Sequence, residues 1–471
     1  MKSATVKLNA VLALTLAAAV VLAWLWHCWC IFPWYLWNEL RLEPSFLLVH
    51  GGTVYPAVGE GPVTTWIYGP LTPLLFLPAT LAHSTASALL AAGLINILLV
   101  VAPIVVVCKC WPAAQGVTLS LESRLTAGLL CFALWPASSF QYIQADNAAV
   151  ALGLLANLAL IRSRSDSDWT RWLAAVTAVA ALGCKQTALG VLGGQLIWIA
   201  WREGGRNAIR HALRASVCTV ALGLGSLAIF DPAGLWLNVV QIPARLPWSD
   251  VAGTRIRELL PLLLMHIAFP CVVMLGARRH VWHRESPLAL PSLCWVVALI
   301  PGLLSLLKIG GNVNSLEGLL LFLPPALLFG VAHFSSVRGL RIIFPLAAAL
   351  AVLARFQLVT TPGWTPRIAQ LRQAELISKT YPEQIWFPWN PLVTFYSARR
   401  FDHVEDGLYV RFVTGLPLTF AEARAGLPPK WRGMAMVRGS FDWGLAAHLC
   451  PSDAQVDQLG FWTLTTWNPA K

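Results

Sequence analysis

Carboxylates are scarce in this sequence, so their positions carry information. Glu39 and Glu43 lie four residues apart in the stretch FPWYLWNELRLEPSFLLVHGGTVYPAVGEGPVTTWIYGPLTP. On a helix that spacing puts both side chains on one face, within reach of one cleft. A carboxylate beside a hydroxyl can accept its proton as a new bond forms. The plainer reading is a solvated amphipathic helix lying on a membrane, with Glu43 paired to Arg41 or Lys185. Gly51-Gly52 ends that helix, and Tyr55-Pro56 starts an extended stretch.

Three further polar groups interrupt apolar sequence. Asp146-Asn147 opens a helix in FQYIQADNAAVAL, where an acid also serves as an ordinary cap. Lys185 and Gln186 sit inside the apolar run LGCKQTALG. Such a lysine either snorkels to the interface or binds an anionic headgroup or phosphate. SLLKIGGNVNSLEG places Lys308, Asn312, Asn314 and Glu317 around a glycine turn. Its amides suit polyol recognition; a simple loop is the alternative.

These groups need elements to position them, and composition names the kind. Apolar residues make up 57% and charged residues 12% of the 471, against roughly 25% charge in soluble domains. A chain this apolar takes lipid as its solvent. The 23 tryptophans suit interfacial belts. Net charge is +12, but no basic cluster interleaves with aromatics, so nucleic acid is set aside. Of the ten cysteines, Cys131, Cys184, Cys218, Cys271 and Cys294 fall in apolar runs, where free thiols act as small hydrophobes. Leu8 to Phe32 is longer than a signal-peptide core of roughly 7–15 residues and reads as a retained anchor.

The expected fold is an all-α polytopic membrane domain over residues 1–354, with a small C-terminal α/β extracytoplasmic domain over 355–471. About eleven apolar stretches approach the roughly 17–25 residues needed to span. They begin near Leu8, Ala86, Gln115, Asn147, Trp172, Thr187, Ala215, Leu259, Leu288, Leu316 and Gly339. Leu71–Ala82, inside a first outer loop of 33–85, is short and carries Pro73 and Pro78, so it dips without crossing. Arginine decides this: only then do the Arg202–Arg214 and Arg278–Arg284 clusters face the cytoplasm with Lys2 and Lys7. The same arrangement puts Glu60, Asp231, Asp250 and Glu258 outside and Asp166 inside. Arg367 to Lys379 reads as a helix; Leu392–Tyr396 and Gly407–Phe412 read as short strands.

The order of motifs is more specific than any one of them. An acid-bearing loop precedes L-L-V-H-G-G-T-V-Y-P, then Y-G-P-L, then Ala145-Asp146-Asn147, then Lys185-Gln186, then the Lys308 turn. Over residues 8 to 335 this order resembles the GT-C superfamily of polytopic glycosyltransferases, in its bacterial branch related to protein mannosyltransferases and aminoarabinose transferases. The resemblance implies a sugar donor carried on polyprenyl phosphate, and a lipid, glycan or protein acceptor at the outer face of a bacterial inner membrane. It matches Glu39 to the first-loop base and Asp146 to a second catalytic acid. It places Glu43, Arg41, Tyr55, Tyr68, Lys185, Gln186, Lys308, Asn314 and Glu317 around the substrates. Asn38-Glu39 stands where many members pair two acids, which leaves a divalent metal cofactor an open alternative. A lipid-linked-sugar transporter or flippase, or an inactive envelope assembly protein, are the competing readings; transport would call for polar residues near mid-bilayer.

This topology makes a direct prediction. A tag placed after Lys471 is reachable from outside in intact spheroplasts; a protected tag would mean the crossing count is wrong by one.

Overall fold

The computed structural model describes residues 2–114, 118–163, 168–249, 257, 260, 264–276, 282–286, 288–334, 339–358, 364–437 and 454–467. Asp166, Asp250, Glu258 and part of the span expected from Leu259, residues 259, 261–263 and 277–281, lie outside the described residues.

Helices dominate because long Leu-, Ala- and Val-rich runs must satisfy their backbone internally in lipid. In chain order the principal ones are α1 (Lys2–Ile31), α2 (Leu36–His50), α3 (Thr85–Ala114), α4 (Leu121–Leu134), α5 (Ala145–Arg162), α6 (Asp168–Cys184) and α7 (Leu189–Glu203). They continue with α8 (Gly205–Ile229), α9 (Ala289–Leu306), α10 (Leu323–Phe334), α11 (Leu340–Leu358), α12 (Trp364–Thr380), α13 (Pro391–Ala398) and α14 (Glu405–Val413). Among the described residues six stretches are long and apolar enough to cross a membrane: Lys7–Trp34, Thr85–Ala114, Ala145–Arg162, Gly205–Ile229, Ala289–Leu306 and Asn314–His333. With its apolar composition, this makes the chain an integral membrane protein. α4, α6 and α7 stand where spans were expected but have only 14, 17 and 15 residues. Leu71–Ala82 forms two short helical pieces, Leu71–Leu75 and Leu77–Leu81, each too short to cross.

The bundle is centred on α5, whose apolar window is 83% buried; that of α8 is only 11% buried. α8 instead turns Leu213, Val217, Val220 and Leu224 outward, toward lipid. α5 packs on α3 and α6, α7 on α9, and α1 on α4 and α11. The α7–α9 contact depends on small residues. A Cβ at Gly190 would lie 2.6 Å from the Ala298 Cβ, and one at Gly194 would lie 2.5 Å from the Cys294 backbone. This is the small-residue spacing by which membrane helices approach closely.

Buried amides tie helix ends and the neighbouring turns together. Asn147 Nδ2 donates to Asn96 Oδ1 at 2.9 Å and to the Ser139 carbonyl at 2.7 Å, and Asn96 donates to that carbonyl at 2.8 Å. Asn38 Nδ2 donates to the Phe32 and Gln141 carbonyls, both at 2.8 Å, while its Oδ1 accepts from the Ile143 N–H at 2.8 Å. A carboxylate could not donate the first two bonds. That is why an amide stands at position 38, where the resembled family often has an acid.

The C-terminal region carries a four-stranded sheet in the order β1-β2-β4-β3, built from β1 (Ile385–Trp386), β2 (Gly433–Val437), β3 (Gln455–Leu459) and β4 (Trp462–Thr466). β1 and β2 are parallel; the other pairs are antiparallel. The helix expected from Arg367 is α12. The strands expected at Leu392–Tyr396 and Gly407–Phe412 are instead the helices α13 and α14. Apolar runs this short do not distinguish the two by pattern alone, and Pro391 at the first turn of α13 favours the helix.

The first loop, between α2 and α3, is clamped to this region. His403 Nδ1 accepts from the Val63 N–H at 2.8 Å, and the Val404 N–H donates to the Val63 carbonyl at 3.1 Å. Arg411 donates to the Pro56 carbonyl at 2.8 Å. Gly407 packs so closely that an added Cβ would lie 2.5 Å from the Thr64 carbonyl oxygen. Burial pushes the His403 imidazole down to about 4, which keeps it neutral and able to accept.

Two predictions test this packing. Gly194→Leu lowers the melting temperature in detergent, by an overpacking cost of about 1–3 kcal/mol, whereas Gly223→Leu, with open space around it, leaves it unchanged. Equal effects would refute the close α7–α9 contact. The His403 value lies below that of an unfolded histidine, near 6.5, so stability is lost as pH falls from there toward about 4. Thermal melts across that range should show this loss, and His403→Gln should remove that component of it. A drop of equal size in the variant would disprove the role of the neutral imidazole.

Candidate active site

A cavity of about 880 Å³ opens between the membrane helices and the C-terminal region. Its wall is assembled from separate segments that the fold brings together. α2 supplies Trp37 and Arg41, the first loop Thr65, Ile67 and Tyr68, and the turn before α5 Tyr142 and Gln144. The α6–α7 junction supplies Lys185, Gln186 and Thr187. Trp248 and the turn after α9, including Lys308, Asn312 and Asn314, complete the membrane side. α14 supplies Asp406, Tyr409, Val410 and Val413.

The centre of the membrane-side wall is an ion pair. Lys185 Nζ donates to both oxygens of Asp146, at 2.5 and 2.6 Å. Both side chains are about 95% shielded, with 5% and 4% exposure. Local structure explains the pairing. Asp146 stands in the first turn of α5, where unpaired N–H groups favour a carboxylate. Lys185 follows the last turn of α6, where carbonyls favour a cation. The Gly69 N–H docks the first loop onto the Cys184 carbonyl at 3.2 Å, and Lys185 Nζ lies 5.5 Å from the centre of the Tyr68 ring. Asn314 donates to Asp146 Oδ2 at 3.3 Å. Glu317 accepts from Ser139 Oγ at 2.8 Å and, with the Gln144 amide nitrogen turned toward it, from Gln144 at 2.5 and 2.9 Å. Removing one partner of such a buried pair costs about 3–5 kcal/mol.

Lys185, Gln186, Arg41, Tyr68, Lys308 and Asn314 therefore share one cavity, with Asp146 and Glu317 directly behind its wall. Arg41 donates to the Ile143 carbonyl at 2.7 Å and lies 5.3 Å from the Trp37 ring centre. Gln186 bridges the Ile67 and Val239 carbonyls at 3.0 and 2.9 Å. Lys308 donates to the Pro243 and Ala244 carbonyls at 2.8 and 3.2 Å, with Trp248 beneath it at 5.7 Å. Tyr55 is buried, and its hydroxyl donates to the Tyr68 carbonyl at 2.8 Å; it supports the wall without forming part of it.

Glu39 and Glu43 share a helix face as their spacing requires, but it is the wrong face for the cavity. Trp37 and Arg41 face inward, and two residues on, at 100° per residue, α2 points its side chains away. Glu39 is buried, with Oε1 accepting from Asn390 Nδ2 at 2.6 Å. Glu43 is fully buried beside Asp402, and burial first, then that neighbour, holds its carboxyl well above the usual range. Glu43 pairs with neither Arg41 nor Lys185; the surface-helix reading of this loop is thereby corrected, because α13 covers it.

Sequence reasoning missed the α14 contribution. Asp406, Tyr409, Val410 and Val413 recur at helical spacing, and a period-3.6 reading of that stretch would have put them on one face. Among the described residues no three His, Cys, Asp or Glu side chains converge as metal ligands. Both Asp146 oxygens already accept from Lys185. These groups do not fit a divalent-metal centre.

No protein-family model matches the sequence, and neither does any curated protein. Two crystal structures of ArnT from Cupriavidus metallidurans do match in three dimensions. The one bound to undecaprenyl phosphate aligns with a TM-score of 0.59 at 10% identity, covering 95% of this chain and 97% of that one. The apo structure aligns with a TM-score of 0.57 at 11% identity over the same shares. At such identity the likeness concerns fold alone: over nearly the whole of both chains this chain has an ArnT-like fold, mostly helical with a small C-terminal sheet.

Proposed function

We propose that this protein is a membrane glycosyltransferase that moves a sugar from a polyprenyl-phosphate carrier to an acceptor at the extracytoplasmic membrane face. One observation carries the reading. Lys185, Arg41 and Lys308 share a cavity of about 880 Å³ with Trp37, Tyr68, Tyr142 and Trp248. Cations suit a phosphate, and aromatic rings suit a sugar face or a prenyl chain. The fold agrees, being that of ArnT, which has been crystallised with undecaprenyl phosphate.

In this reading Lys185 is the main phosphate ligand. Two of its N–H groups are spent on Asp146, and a lysine has three. Asp146 holds the ammonium rigid, so no reorganisation is needed when charge develops on the leaving phosphate. Arg41 and Lys308 flank it, and Asn314, Gln186 and Tyr68 shape the sugar pocket. Glu317 lies within electrostatic range of Lys185 and Asp146, drawn to the first and repelled by the second. Glu39, proposed from the resemblance as the base, is better suited to anchoring Asn390 and thereby the C-terminal region. The membrane domain of 1–354 crosses about eleven times, counting short helices such as α6 and α7, which local thinning of the bilayer accommodates. Its N-terminus is cytoplasmic, and residues 355–471 lie outside a bacterial inner membrane. Polar groups gather at one end of the bundle, which favours transfer over transport.

Lys185→Ala should weaken undecaprenyl-phosphate binding about 10- to 100-fold, the worth of one charge-assisted hydrogen bond of 1.5–3 kcal/mol. The single variant leaves Asp146 buried and unpaired, so Lys185→Ala/Asp146→Ala provides the check: it refolds the site without restoring binding. Binding of the purified proteins to undecaprenyl phosphate, read by native mass spectrometry, decides the matter. Full affinity in the double variant would exclude the phosphate role.

A further inference from the structure

The transferase reading needs a group that takes a proton from the acceptor, and the first-loop acids do not face the cavity. Among the described residues that line it, Asp406 is the one carboxylate; the other charged groups are Arg41, Lys185 and Lys308. An anion-binding cavity gains nothing from an added negative charge. A carboxylate on its wall weakens phosphate binding unless it meets a different part of the substrates.

We propose that Asp406 is the acceptor-side catalytic base, and that the cavity is divided into a cationic donor end and an acceptor end formed by α14. This inference rests on the transferase reading above. The ordinary explanation for an acid in the first turn of a helix is its favourable interaction with unpaired N–H groups. Glu405 already stands in that turn, where its Oε2 accepts from Trp389 Nε1 at 2.6 Å. Both acids stand in the first turn of α14, and Asp406 is the one on the cavity wall.

The position of Asp406 is fixed from several directions. The preceding residues are pinned by the Val404–Val63 bond, and the following residue, Gly407, packs directly on the Thr64 carbonyl. One turn further, Arg411 reaches the Pro56 carbonyl at 2.8 Å and Asn238 Oδ1 at 3.5 Å. The same first loop supplies Thr65, Ile67 and Tyr68 to the cavity. α14 and the donor wall are therefore registered to each other through one clamped segment, which is what a base needs to be held in reacting geometry. Asp146, which holds Lys185, Glu317, which accepts from Ser139, and Glu39, which accepts from Asn390, do not line the cavity.

The step balances without a further reagent. The acceptor hydroxyl oxygen forms its bond to the anomeric carbon. The bond from that carbon to the carrier phosphate oxygen breaks, and its electron pair leaves with the phosphate, beside Lys185. The hydroxyl proton passes to an Asp406 oxygen, which returns it to water after release.

The test uses the full-length purified protein with radiolabelled undecaprenyl-phosphate sugars and a bacterial envelope extract as the source of acceptor. Asp406→Asn should lower kcat about 100- to 10,000-fold. Donor KM, undecaprenyl-phosphate binding and detergent melting temperature should all stay at the wild-type values. Asp406→Glu should recover part of the rate. The acid limb of the wild-type kcat–pH profile should be absent from the residual activity of Asp406→Asn. Turnover within about threefold of wild type in Asp406→Asn would overturn the proposal, as would a rate loss accompanied by lost carrier binding or melting. Failure of the wild type to release carrier from any donor would overturn the transferase reading itself, and this assignment with it.

Discussion

The site depends on the buried bond between Lys185 and Asp146. Two helices packed side by side bring opposite ends together there, α6 finishing in carbonyls and α5 beginning in N–H groups, and each terminus favours the charge it carries. Neither charge would be tolerable alone at that depth. Together they are tolerated and fixed, and the lysine still forms part of the cavity wall. The small-residue seam between α7 and α9 sets the distance to the Lys308 turn. The amide network of Asn38, Asn96 and Asn147 holds the turn that supplies Tyr142 and Gln144.

A second constraint acts from the water side. The first loop is irregular for much of its length and would not hold a shape by itself. It is held by the C-terminal region, through the neutral imidazole of His403, the backbone of Val404, the close approach of Gly407 and the guanidinium of Arg411. The C-terminal region is thus more than a cover. It fixes the loop and contributes α14 to the cavity, so the two halves of the wall form one unit. Glu39 belongs to this junction through Asn390, which gives a physical reason for a buried acid in the first loop that does not involve chemistry at the cavity.

Much of this was legible from the residues. Apolar runs announced the membrane helices, and the isolated Lys185, Asp146, Asn314 and Glu317 do converge, because polar groups in lipid must find partners. Other features were hidden for definite reasons. Helical spacing shows that Glu39 and Glu43 share a face, but it cannot show which way that face points; the covering helix α13 decided it. The short apolar run at Leu392 carries no clear period, and at Gly407–Phe412 the apolar residues outweighed the helical spacing of Asp406, Tyr409, Val410 and Val413, so two helices read as strands. The contribution of Asp406 depends on a chain reversal between regions some 340 residues apart, as the Val63–His403 bond spans, and no local pattern reports such a contact.

In the proposed transfer, Lys185, locked by Asp146, presents its ammonium to a lipid-borne phosphate in this cavity. An electron cryo-microscopy structure of the protein with undecaprenyl phosphate tests it most directly. Density for the phosphate is expected within hydrogen-bonding distance of Lys185 Nζ, with the Asp146 contact retained and the prenyl chain leaving along the aromatic wall. Phosphate density away from Lys185, or a cavity in which Lys185 and Asp146 have separated, would contradict it.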